Sequence, residues 1–172
     1  MEIEVRRGTA LGLIVGLLVA YLGLAGYLSS PLDKAGHPIL LLPEVRAVDQ
    51  YRNLVGTWVV EWRGLDKDVT SIMHNDGTRL LATSQQAQQA LDLATVLASQ
   101  VDANEAPSAM VGLRELSSQA AVDYAEASTA AARWLSAPSS VNLAAANAAL
   151  SKARKDRAAL EANEWLKLEE PK

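Results

Sequence analysis

The sequence predicts an all-α protein, with one N-terminal transmembrane helix followed by an antiparallel up-and-down bundle of about four helices. Three observations carry that reading: an uncharged apolar run over residues 8–28, a sustained 3,4 apolar spacing from Val48 to Ile72, and further Ala- and Leu-rich stretches separated by short Pro-, Gly- and Asn-containing breaks. The 172 residues have room for one span and one ordinary domain, but not for two domains of usual size. The expected layout is a cytoplasmic tail over 1–7, the span over 8–28, a connector over 29–42 and an extracytoplasmic bundle over 43–172.

The run from Gly8 to Leu28 holds no Asp, Glu, Lys or Arg, and at about 1.5 Å per residue it is long enough to cross a hydrocarbon layer of about 30 Å. Arg6 and Arg7 precede it and only Lys34 follows closely. The positive-inside rule then places the N-terminus in the cytoplasm and the remainder in the periplasm or outside the cell. A rival reading is a cleaved signal peptide with Gly23 to Ala25 as a small-x-small processing site; the run is longer than the usual h-region. Gly8, Gly12, Gly16 and Ala20 recur every four residues. On a helix they share one face, a groove that a second helix backbone can approach closely.

Pro31, Pro38 and Pro43 interrupt the connector, since proline removes a ladder donor and clashes with the preceding turn. Its run Ile39, Leu40, Leu41 and Leu42 suits either the headgroup layer or a plug for the end of the bundle. The first soluble helix is expected from Pro43 to about His74. Its apolar seam is Val48, Tyr51, Val55, Trp58, Trp62, Leu65, Val69 and Ile72, a heptad-like 3,4 repeat. Asn75, Asp76 and Gly77 supply the stop. A second helix is expected from about Thr78 to Ala103 with Ala87, Leu91, Ala94, Ala98 and Val101 on one face. A third runs from about Ser108 to Ser136 along Leu113, Ala120, Tyr124, Ala127, Ala131 and Trp134. Pro138 ends it, and Ser139 or Ser140 caps a fourth continuing to about Leu168. Short loops make neighbouring helices antiparallel. Three reversals return the C-terminus toward the membrane side, where Trp165 and Leu166 meet either the bilayer surface or the last turn of the core.

Little in the chain points to catalysis. The absence of Cys excludes disulfides, thiolate metal sites and Cys nucleophiles. His37 and His74 stand on different segments and form no metal-binding pair; His74 is placed to meet helix C-terminal carbonyls. Asp66, Asp68 and Asp76 lack the spaced ligands of a calcium loop and read as turn, cap or solvated residues. No phosphate-cradling glycine loop, GxSxG or SxxK occurs. Lys152, Arg154, Lys155 and Arg157 are scattered around the fourth helix and read as a solvated face. The net charge of −4 disfavours nucleic acid as a partner. No cofactor or metal is expected. The partners expected are membrane lipids and either an integral membrane protein or a second copy of the chain. The function these features favour is that of a non-catalytic accessory or scaffold subunit of a membrane complex; the alternative is a ligand-binding or sensory bundle signalling through a membrane partner.

Overall fold

The computed structural model describes residues 7–29, 43–75 and 79–167, with the side chains of the first segment described from 15 to 26. Among these residues all regular structure is helical: α1 (Arg7–Ser29), α2 (Pro43–Met73), α3 (Leu80–Ala103), a 3-10 turn (Ser108–Met110), α4 (Val111–Ser136), α5 (Ser140–Glu161) and the short α6 (Glu164–Lys167). The chain divides into two compact units, Met1–Arg46 and Ala47–Lys172, each taken by itself below. The connector run Ile39 to Leu42 and His37 lie outside the described residues.

In the first unit, α1 presents Val15, Leu17, Leu18, Val19, Tyr21, Leu22 and Leu24 to its surroundings, each more than half exposed. Apolar residues occupy every side of the helix, so rotating it hides none of them. Among the described residues no helix is long and apolar enough to cross a membrane. The transmembrane helix expected over 8–28 is therefore without support from the described structure, which shows at this place a continuous helix whose described apolar side chains are uncovered.

In the second unit, α2 to α5 form a helical bundle around one core. Its largest fully buried side chains include Trp58, Trp62, Tyr124, Leu65, Ile72, Leu97, Met110 and Leu113. Cross-links show the helix directions. From α2 to α3, Trp58 Nε1 donates to Gln100 Oε1 at 3.1 Å and Asp68 Oδ1 accepts from Gln86 Nε2 at 3.1 Å, so numbers rise along one helix as they fall along the other. From α2 to α5, Arg63 meets Glu161 and Asp66 meets Arg154, again antiparallel. A three-residue link folds α5 back along α4. There Ser139 caps α5, its side chain accepting from the Asn142 N–H at 3.1 Å, which satisfies one of the first-turn donors that no helix satisfies internally.

Helix spacing follows side-chain size. The backbone of α4 lies close to those of both α5 and α3. Ala120, Ala121, Ala127 and Ala131 of α4, Ala90 and Ala94 of α3, and Ala146 and Ala153 of α5 are buried along these helices. The aromatic residues of α2 fill the remaining space: Tyr51 and Trp58 meet edge to face with centroids 6.2 Å apart, and Trp62 lies parallel to Tyr124 of α4 at 6.2 Å with an interplanar angle of 5°. Both arrangements suit the ring quadrupoles.

Several boundaries and phases differ from the sequence expectation. α3 starts at Leu80 instead of Thr78, and the third helix is entered through the 3-10 turn. The fourth helix closes at Glu161; a turn at Ala162–Asn163 precedes α6, where a single helix to Leu168 was expected. On α3 the buried face is Thr83, Ala87, Ala90, Ala94, Leu97 and Val101, with Leu91 outside it. Trp134 is half-buried and is not among the side chains packed on the core.

Candidate functional site

The most distinctive chemistry lies between α2 and α5, where a carboxylate beside the hydrophobic seam holds two arginines. Asp66 occupies the helical position next to Leu65 and is 8% exposed. Its Oδ1 accepts from Arg154 Nε at 2.8 Å and Nη2 at 2.5 Å, and its Oδ2 accepts from Arg157 Nη1 at 3.0 Å. Arg154 and Arg157 are one helical turn apart on α5, the spacing that lets two long side chains reach one point on a facing helix. The network then spreads. Arg157 Nη1 also donates to the Tyr124 hydroxyl at 2.9 Å, Arg154 Nη2 donates to Thr70 Oγ1 at 2.8 Å, and Arg63 Nε donates to Glu161 Oε1 at 3.1 Å.

Burial alone would raise the Asp66 carboxyl, but the hydrogen bonds and charges of Arg154 and then Arg157 outweigh it and hold the group below the ordinary carboxylate range. Burial pushes the Tyr124 phenol up to about 12, the Arg157 charge opposing it. The phenol therefore stays protonated at physiological pH, capping the Trp62 stack with a polar end that Arg157 satisfies.

A second buried carboxylate ties α4 to α5. Asp123 is fully buried, and its Oδ1 accepts from Lys152 Nζ at 2.8 Å and Gln119 Nε2 at 3.0 Å. Its Oδ2 is buried without a hydrogen-bond partner. Hydrogen bonding to Asp123, burial and the Asp123 charge raise the Asp156 carboxyl, while Asp123, despite its burial, is held low by the hydrogen bonds of Asp156, Lys152 and Gln119.

Chemically these clusters join helices. Asp66 has both oxygens on arginine N–H groups and Asp123 has one oxygen on Lys152, an arrangement suited to ion pairing more than to proton transfer. Among the described residues no group of three or more His, Asp or Glu side chains is placed to hold a metal ion. Three of the larger grooves, one along Arg63, Lys67 and Arg154, one around His74 and Thr83, and one around Arg114 and Val122, open to solvent.

The residues singled out from sequence fall as follows. Tyr51, Val55, Trp58, Trp62, Leu65, Val69 and Ile72 are buried, and Val48 is half-buried against the same core. Trp165 and Leu166 also pack on the core. Gly8, Gly12, Gly16 and Ala20 lie on one continuous helix; a Cβ added at Gly16 would meet open space. The His74 ring nitrogen Nδ1 lies 2.8 Å from the Thr70 carbonyl oxygen. Lys152 and Arg154 are exposed, as the solvated reading expects, yet each pairs with a carboxylate buried at the bundle seam; Arg157, only 17% exposed, corrects that reading. Asp66, expected to be a solvated or turn residue, is the hub of the network. The available signal was its position beside Leu65 on the seam of α2, with opposite charges spaced three apart on the last helix.

No family model matches the chain, and no curated protein or solved structure is significantly similar to it.

Proposed function

We propose that the protein is a non-catalytic accessory or scaffold subunit of a membrane complex, anchored through α1 and carrying its bundle in the periplasm or outside the cell. The observation that supports this most directly is the apolar girdle of α1. Val15 to Leu24 offer apolar side chains in every direction, and a helix that is apolar all round is stable when lipid or protein surrounds it. Residues 8–28 carry no charge, and a helix of that length covers roughly 30 Å. Lipids are one partner in this reading. The glycine face of Gly8, Gly12, Gly16 and Ala20 selects the other, an integral membrane protein or a second copy of the chain, because small residues let helix backbones meet. The bundle's buried charges are spent on its own helix contacts, which supports a rigid spacer more than a reaction centre.

The test is pull-down of the full chain from native membranes in mild detergent, with mass spectrometry of what accompanies it, for the parent and for Gly12→Ile with Gly16→Ile. A defined set of membrane proteins, or a second tagged copy, that is lost in the double variant is the expected result. A chain that stays in the soluble fraction, or that extracts alone in both forms, would overturn the reading.

A further inference from the structure

The groove between α2 and α5 carries more positive charge than its own ion pairs consume. It has a volume of about 570 Å³, is open to solvent, and is lined by Arg63, Asp66, Lys67, Thr70, Ser71, Arg154 and Arg157. The four cations there face two carboxylates, Asp66 inside the groove and Glu161 at its edge, leaving a surplus of two positive charges on a chain whose net charge is −4. Both oxygens of Asp66 are occupied by arginine N–H groups, so its charge is neutralised where it stands. Arg63 uses its Nε on Glu161 and Arg154 uses Nε and Nη2 on Asp66 and Thr70. The outer guanidinium nitrogens of both are unused in these bonds. Lys67, one turn beyond Arg63 on α2, makes no ion pair among the described residues.

We propose that this groove binds a phosphate group, through Arg63 and Lys67 from α2 and Arg154 from α5. Donors reach the site from two helices, more than the two oxygens of a carboxylate use, whereas a phosphate offers several oxygens and up to two negative charges to match the surplus. Asp66 acts as a positioning residue: it clamps Arg154 through Nε and Nη2 and leaves Nη1 for the ligand, as Glu161 holds Arg63 through Nε. The same chemistry is offered by free phosphate and by a phosphomonoester such as a lipid headgroup. This inference does not depend on the anchor role proposed above.

The experiment uses the full chain in an uncharged maltoside detergent, titrated calorimetrically with inorganic phosphate, with glycerol phosphate, and with chloride at matched ionic strength. Arg63→Gln and Lys67→Gln are compared with the parent, because both side chains stand at the groove rim and neither is required by the core. Saturable binding of either phosphate that chloride does not mimic, weakened about tenfold by each substitution with the ligand-free unfolding temperature nearly unchanged, is the expected result. Tighter binding of glycerol phosphate supports the proposal with a monoester headgroup as the source, and equal binding supports it with free phosphate. Binding that chloride reproduces, variants that bind like the parent, or no saturable binding of either phosphate would each overturn it.

Discussion

Asp66 shows how one residue can decide the cohesion of the last helix. Removing a partner from a buried pair costs about 3–5 kcal/mol where both charges are desolvated; here the Arg154 side chain is 47% exposed and solvent screens it. Asp66→Asn is therefore expected to lower stability by about 2 kcal/mol at neutral pH, measured by denaturant unfolding. The sign of the pH dependence follows from the lowered carboxyl. The contribution is fully present above the unfolded-state value of about 3.9 and is lost as pH falls through the folded one. The gap between parent and variant must close in acid; a gap that persists at pH 2 would mean that shape and not charge is the cause. These polar residues were legible in the sequence only as types. A carboxylate beside an apolar seam and a solvated carboxylate look alike until the facing helix is known, and the facing residues are 88 and 91 positions away.

At the scale of elements, legibility followed the contrast between large and small side chains. The seam of α2 contains aromatic and branched residues among polar ones, and its eight positions were readable from spacing alone. α3 is different: Ala87, Ala90, Ala94 and Ala98 share one face but are small, while the larger Leu80, Leu81 and Val96 are exposed and Leu91 lies off the buried face, so the phase is weakly marked and Leu91 stands out in place of Ala90 and Leu97. Trp134 differs in the opposite way: a large ring in register with Ala127 and Ala131 stays off the core, and the neighbouring Leu135 packs there instead. The short break at Ala162–Asn163 carries no Gly or Pro; its one local signal is Asn163, whose side chain accepts from the Trp165 N–H at 3.1 Å. The Ala-rich positions nonetheless set the helix spacing. Ala127 is fully buried on α4, which lies close to both α3 and α5. Ala127→Leu is expected to destabilise by about 2–3 kcal/mol through overpacking, while Val122→Leu on the exposed side of the same helix should change stability by no more than about 0.5 kcal/mol. Equal midpoints for the two variants in urea would show that the interhelical space is not set by these small residues.

At the scale of the whole molecule, the buried hydrophobic core runs from Tyr51 to Leu160, with Val48, Trp165 and Leu166 at its margins, entirely within the second unit. The membrane role proposed for α1 rests on sequence length and uncovered side chains. Charge supports the same division. Three acids (Glu2, Glu4, Asp33) cancel three bases (Arg6, Arg7, Lys34) before Pro43, so a fragment beginning at Pro43 keeps the −4 of the whole chain, a balance that favours solubility once the apolar helix is gone. The fragment 43–172 is expected to remain in solution without detergent, to give a helical circular dichroism spectrum, and to unfold in one transition within a few degrees of the full chain in maltoside. The full chain, in contrast, should sediment with membranes and resist extraction by salt or alkali. If the fragment is helical but melts broadly and far below the full chain, the first 42 residues complete the core. If the full chain washes off membranes in alkali, α1 is covered by protein and the anchor reading gives way to a peripheral subunit whose helix lies in a partner's groove.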